Sequence, residues 1–286
     1  MGEPFGELKI DRSLRQKLLD LCHGQTILLV GDTGAGKSTL INSFFSMITG
    51  KYQQIAEARF GHQTVTKTLG KYVCQRADGV ALTFVDTCGF IVSRVPEVVP
   101  DGGKVNFGVL LDALLSGTIR PETDLHRIIE SLRKQNRAET PEEEERLREE
   151  AVRLLEAAKV KNEKRLEPNT VIVVVDAMFL PPKNYLKAVD EAVMKFSKKV
   201  CVVATREDLL RRKKDKGEKQ KSKLNKVVKN GFSSPLLITK EPLLMSNYVP
   251  MADSQSEKDT EIDDQDYPLW KQELLVSTFE KLLQKP

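Results

Sequence analysis

The segment Gly31-Asp32-Thr33-Gly34-Ala35-Gly36-Lys37-Ser38 fits the pattern G-x-x-x-x-G-K-S/T and sets the tightest limit on the fold of this chain. Its glycines let the backbone wrap closely and aim successive N–H groups at one point, a nest for anionic oxygens. The flanking residues supply the context. Thr26 to Val30 is an apolar run that reads as a buried strand. Leu40, Ile41, Phe44, Phe45 and Ile48 then follow at the spacing of one helix face, and Gly50 is a stop signal. Strand, glycine loop and helix in this order put the positive end of a helix at the loop. The expectation is a phosphate loop in which Gly31, Asp32, Thr33, Gly34, Ala35, Gly36, Lys37, Ser38 and Thr39 meet the phosphates of a nucleotide. Lys37 would reach the β- and γ-phosphates as a catalytic group, and the Ser38 hydroxyl would ligate Mg²⁺.

A second apolar run, Val80 to Val85, ends in Asp86-Thr87-Cys88-Gly89. An acid at such a strand end holds Mg²⁺ through water, and the D-x-x-G form points to a GTPase whose Gly89 N–H senses the γ-phosphate. Asp176, after Val171 to Val175, competes for the metal role but lacks the following glycine and reads as a strand-end residue. Thr64-Val65-Thr66-Lys67-Thr68 precedes a strand-like stretch, and Asp78-Gly79 is a hairpin signal. An antiparallel hairpin before the D-x-x-G strand is a feature of Ras-like domains. A threonine just upstream of it would cover Mg²⁺ and the γ-phosphate, with a catalytic role; Thr66 is the choice and Thr64 the alternative.

A third buried run, Val200 to Ala204, leads into Thr205-Arg206-Glu207-Asp208, a variant of the guanine motif N/T-K-x-D. Guanine offers two adjacent donors, N1–H and the 2-amino group, and the Asp208 carboxylate can accept both. Arg206 would lie over the base face, where a planar guanidinium suits stacking. Ser246 and Asn247, after Leu243 to Met245, are the expected last guanine-side contact, and Leu236 to Thr239 competes for the last strand. The order of the motifs favours GTP and GDP over ATP. Phe90 stands where Ras-type enzymes carry the glutamine that orients the attacking water, so slow intrinsic hydrolysis is expected. The alternative is a scaffold that binds nucleotide with negligible hydrolysis. Cys88 reads as a small apolar filler rather than a redox switch.

Taken together, these residues resemble the septin-like branch of Ras-type GTPases. V-T-K-T at Val65 to Thr68 and T-R-E-D-L at Thr205 to Leu209 are similar to the GTPases of immunity-associated proteins. The whole order resembles the interferon-induced protein 44 family more closely, from the phosphate loop through D-T-C-G, Gly117-Thr118-Ile119-Arg120-Pro121 and the late Ser246-Asn247-Tyr248. The resemblance spans roughly residues 20 to 284 and implies a guanine-nucleotide-binding domain tied to immune or stress responses.

The fold expected is α/β: a Ras-like P-loop GTPase domain over residues 1–286, with a mixed, mostly parallel sheet, helices on both faces and a helical insertion at 93–169. Within the insertion, Asn106 to Ser116 reads as helix. Thr140-Pro141-Glu142-Glu143 is a helix start, with N-cap Thr, Pro in the first turn and Glu at the capping-box position. Leu147, Leu154, Leu155 and Ala158 form its narrow apolar stripe, a packed edge or a lever that follows nucleotide state. Asn184 to Lys198 and Leu269 to Leu283 complete the helical layers.

The net charge of +4 hides a block. Residues 211–230 hold ten basic and two acidic side chains, and removing them from the totals of 45 and 41 leaves 35 against 39. This basic segment suits an anionic partner, while its lack of aromatic residues disfavours nucleic acid. Residues 253–266 form an acidic loop with seven acids and one lysine. Four scattered cysteines and three scattered histidines give neither a disulfide framework nor a zinc site. No apolar run approaches the roughly 18 residues of a transmembrane span, and the first residues carry no apolar signal core. A cytoplasmic protein, capable of pairing as a homodimer or in higher self-association, is the resulting expectation.

Overall fold

The structure is a computed structural model that describes residues 10–21, 24–50, 54–57, 66–75, 81–89, 108–135, 138–160, 166–245 and 267–283. In chain order the elements are α1 (Arg12–Asp20), β1 (Thr26–Gly31), α2 (Lys37–Thr49), β2 (Gly70–Gln75), β3 (Ala81–Asp86), α3 (Gly108–Leu115), α4 (Leu125–Gln135) and α5 (Pro141–Ala158). They continue with β4 (Thr170–Asp176), α6 (Lys183–Lys195), β5 (Lys199–Thr205), α7 (Glu207–Arg212), α8 (Lys214–Gly231), β6 (Leu243–Leu244) and α9 (Tyr267–Leu283).

The strands form one sheet in the order β2-β3-β1-β4-β5-β6, antiparallel at β2–β3 and parallel elsewhere. This is the Ras-like α/β sheet. β4 is buried along its whole length, and β1 and β5 are buried except at their first residue, as parallel strands covered on both faces must be. Alternation then divides their side chains between two layers. Leu28, Val30, Val173 and Val202 point toward α3, α4, α5, α6 and α8, while Ile27, Leu29, Ile172 and Val203 point toward α1, α2 and α9. Phe44 of α2 and Phe279 of α9 meet Phe84 of β3, with ring centroids 4.9 and 5.9 Å away, and so fix both helices on one face. Lys17 of α1 pairs with Glu280 of α9 at 2.7 Å, an exposed contact of small energetic weight.

Inside the expected insertion, α3 packs on α6, and α4 packs on α5. The Thr140 hydroxyl accepts the Glu143 N–H at 3.2 Å, as the capping pattern requires. The reciprocal bond differs: Glu143 reaches the N–H of Glu139, one residue before the cap. Leu147, Ala151, Leu155 and Ala158 form the buried stripe of α5, so Ala151 joins the expected set and Leu154 sits at its edge. A short backbone ribbon joins three segments here. The Leu69 N–H donates to Thr123 O at 2.9 Å, Glu122 N–H to Leu69 O at 2.8 Å, and His126 N–H to Lys67 O at 3.0 Å. On the other side, Arg120 N–H donates to Ala158 O at 3.0 Å and Val160 N–H to Thr118 O at 2.8 Å.

The end of one helix and the edge of the sheet add detail to the sequence reading. α6 ends at Lys195 rather than Lys198, because Ser197 takes a left-handed conformation (φ +51°) that stops the helix. The two competing last strands both pair with β5: β6 along Val203–Ala204, and Leu237 as a single bridge to Val200. The basic segment is helical as α7 and α8. The Asp78-Gly79 turn, the acidic loop 253–266 and the first part of the expected insertion, up to residue 107, lie outside the described residues. Among the described residues, no helix is long and apolar enough to cross a membrane.

Candidate nucleotide site

β1 lies between β3 and β4, at the point where the strand order reverses. Loops leaving the carboxyl ends of strands at such a switch point diverge and leave a crevice. The register aligns the motif residues there: Leu29 pairs with Asp86, Gly31 with Val174, and Asp176 with Thr205.

The glycine loop has the conformation its sequence requires. Gly34 and Gly36 have φ of +73° and +93°, and Gly36 is the N-cap of α2. Gly31 must be glycine because a Cβ there would sit 2.1 Å from the Val174 carbonyl oxygen. Asp32 turns its carboxylate onto the Thr33 N–H at 2.8 Å. Lys37, buried under the loop, donates to the Gly31 and Asp32 carbonyls at 3.2 and 3.1 Å. Burial pulls its ammonium pKa down, and the Asp86 carboxylate opposes that shift.

Ser38, Thr66 and Asp86, read from three separate stretches of sequence, converge. The Ser38 hydroxyl donates to Asp86 Oδ2 at 2.6 Å and lies 3.1 Å from the Thr66 hydroxyl. Asp86 is fully buried, and its Oδ1 has no hydrogen-bond partner of ordinary geometry. Burial raises the Asp86 pKa, against the pull of Lys37, the Ser38 hydroxyl and the Thr87 N–H. An unsatisfied buried carboxylate oxygen beside two hydroxyls fits a hard cation that takes oxygen donors. No cluster of three or more His, Cys, Asp or Glu exists among the described residues to form an all-protein cage. One carboxylate, two hydroxyls and a phosphate nest are what Mg²⁺ uses when a nucleotide completes its shell.

Gly89 reaches the phosphate loop directly. A Cβ there would come within 2.3 Å of Thr33 Cα and 2.4 Å of Thr33 N. The neighbouring Thr87 hydroxyl donates to Leu29 O at 2.8 Å and holds the D-x-x-G turn on β1. Cys88 between them is fully buried, and burial pushes its thiol up to about 12. It fills space, as the sequence suggests, and carries no thiolate.

On the guanine side, the Thr205 hydroxyl donates to the phosphate-loop carbonyl of Ala35 at 2.7 Å and approaches Val175 O at 3.3 Å. The Arg206 guanidinium pairs with Asp176 Oδ2 at 3.0 Å. In sequence Asp176 reads as an ordinary strand end; in the fold it is buried and holds the motif arginine from the next strand. Arg206 itself has a left-handed φ of +61°. Asp208, in the first turn of α7, is half-buried. Glu207 beside it is buried, ion-paired to Arg211, with Oε2 unpartnered. No sequence signal marks it. Met245 N–H donates to Ala204 O at 2.8 Å, and Met245 O accepts from Glu207 N–H at 3.3 Å. The chain is thereby held along the guanine motif as far as Met245, and Ser246 and Asn247 come next in the sequence. Those two residues, like Thr64 and Phe90, lie outside the described residues.

No curated protein matches the chain. Among solved structures, a dimerization-deficient mutant of Toc33 from Arabidopsis thaliana aligns at 12% identity and a TM-score of 0.49, over 96% of this chain and 93% of that one. The septin GTPase domain from Chlamydomonas reinhardtii aligns at 14% identity and a TM-score of 0.44, over 91% of both chains. Residues 26–206, from the start of β1 to the second residue of the guanine motif, match the family model described as 50S ribosome-binding GTPase. That stretch is more than half of the chain, and the protein belongs to this family of P-loop GTPases.

Proposed function

We propose that the protein is a guanine-nucleotide switch that binds GTP and GDP with Mg²⁺ and hydrolyses GTP slowly. The observation that carries this reading is the convergence of Ser38, Thr66 and the unsatisfied Asp86 oxygen beside Lys37 and the glycine nest. Residues Gly31 to Thr39 cradle the phosphates, and Ser38, Thr66 and Asp86 hold the metal. Bound there, Mg²⁺ would neutralise charge building on the phosphate oxygens. The Gly89 N–H reports the γ-phosphate, which its closeness to Thr33 supports. Thr205, Arg206 and Asp208, with Ser246 and Asn247, select guanine. The Asp176 pairing supports an Arg206 guanidinium held in one orientation at the rim of the base site.

Residues 1–286 are read as one G domain, with 93–169 inserted in it, a basic segment at 211–230 and an acidic loop at 253–266. Phe90, in place of a water-orienting glutamine, supports a rate that depends on a partner or on self-association. The resemblance to the interferon-induced protein 44 family supports a cytoplasmic role in immune or stress responses. Phe90 equally supports the second reading, a nucleotide-binding scaffold with negligible hydrolysis.

Calorimetric titration with GTP, GDP and ATP, combined with phosphate release, tests both. Guanine nucleotides bind tightly only with Mg²⁺, ATP binds at least about a hundredfold more weakly, and the purified chain turns over below about 10⁻² per second. Lys37→Ala abolishes binding. Equal affinity for ATP and GTP removes the Asp208 assignment, and unchanged affinity in the Lys37 variant removes the phosphate-loop reading. No phosphate release at any protein concentration favours the scaffold.

A further inference from the structure

The basic segment is a strongly charged feature that the nucleotide site does not absorb. On α8, Gly217, Leu224 and Val228 are buried and define the inner face. Gly217 lies so close to α7 that a Cβ would meet Leu210 O at 1.9 Å, and Gly231 meets Leu186 of α6. The helix is therefore seated by its inner face on both neighbours. At 100° per residue, Lys216, Lys219, Lys223, Lys226 and Lys229 fall on the opposite side, and all five are exposed. None of them makes an ion pair with a described residue. The row runs for about 20 Å at 1.5 Å per residue. The only acids on the helix, Asp215 and Glu218, stand at its beginning.

One edge of this face has an apolar neighbour. Gln220, between the buried and lysine faces, donates to Ala177 O at 3.3 Å and ties α8 to the loop after β4. That loop presents Phe179 and Leu180, 41% and 38% exposed, just before Pro181-Pro182. Large apolar side chains held at the surface beside a row of cations form a two-part surface. An anionic bilayer rewards both parts: lipid headgroups attract the lysines, and the acyl boundary accepts the apolar tips. A nucleic-acid backbone rewards only the charges, and the row carries no aromatic or arginine for stacking on bases.

We infer that the lysine face of α8, with Phe179 and Leu180 at its edge, is a docking surface for a membrane rich in anionic phospholipid. It lies next to the guanine motif, since α7 alone separates Thr205 from α8. Docking would therefore set that end of the nucleotide domain at the lipid surface.

Co-sedimentation of the full chain with phosphatidylcholine vesicles, with and without about 30% phosphatidylserine, tests this. The chain binds only the anionic vesicles, and binding falls as salt rises. Each lysine removed lowers the partition about fivefold, so Lys219→Gln/Lys223→Gln/Lys226→Gln lowers it about a hundredfold with guanine-nucleotide affinity unchanged. Phe179→Ala/Leu180→Ala lowers it about tenfold and keeps the salt dependence. Wild-type vesicle binding by the triple-lysine variant overturns the proposal. So does tighter binding to random-sequence RNA duplex than to anionic vesicles.

Discussion

Replacing Gly89 with alanine probes the contact between the D-x-x-G turn and the phosphate loop. The added Cβ would lie 2.3 Å from Thr33 Cα and Oγ1 and 2.4 Å from Thr33 N. Ordinary contact begins near 3.4 Å, so something must yield by about 1 Å. The phosphate loop is the stiffer side. It is held by the close passage of Gly31 over Val174, by Thr205 on Ala35, and by the Lys37 bonds to two of its carbonyls. Gly89 is therefore the group that moves. A 1 Å shift takes its N–H out of reach of a γ-phosphate oxygen, and a hydrogen bond to a charged group is worth about 1.5–3 kcal/mol. At about 1.4 kcal/mol per decade, GTP affinity falls by about 10- to 150-fold. GDP lacks that phosphate and keeps its affinity within about threefold. Titration calorimetry with GDP and a non-hydrolysable GTP analogue reads the split. Adding Thr33→Ala does not rescue the variant, because two of the three clashing atoms are backbone. Equal losses for both nucleotides would show that the loop yields instead, and wild-type affinity for both would refute the close approach itself.

Other side chains test the same geometry. Thr205→Val keeps the shape but leaves the buried Ala35 carbonyl without its donor, at a cost of about 1–3 kcal/mol in thermal or urea unfolding. Arg206→Ala leaves the buried Asp176 carboxylate without its cation; because Arg206 is partly exposed, water screens the pair and the loss in unfolding free energy stays near about 1–2 kcal/mol, with partial recovery in Arg206→Lys. Burial pushes the Cys201 thiol up to about 12, so it stays protonated at mildly alkaline pH and alkylates only when the chain unfolds. Iodoacetamide labelling at about pH 8 with and without denaturant checks this, and rapid labelling of Cys201 in the native protein contradicts it.

Local units are legible from the chain alone. The glycine loop can be read because its spacing and its flanking strand and helix are contiguous, and each glycine answers a positive φ or a close approach. The start of α5 can be read for the same reason: Thr140, Pro141 and Glu143 act within one turn. The buried strands β1, β4 and β5 announce themselves as apolar runs because both faces of a parallel sheet are covered. How these units are fastened to one another emerges only in three dimensions. The Thr205 hydroxyl bonds the carbonyl of Ala35, 170 residues away, and every residue has a carbonyl, so no residue type marks the acceptor. Asp176 and Arg206 look like two independent strand ends until β4 and β5 pair in register and bring them to 3.0 Å. The last strand is ambiguous in sequence because Leu237 and Leu243–Leu244 are both short apolar stretches that can add to the edge of β5, and both do. Hydrophobic periodicity is a property of neighbours along the chain. The pairing that closes the site depends on register between distant strands, which is fixed only when their apolar faces are buried together.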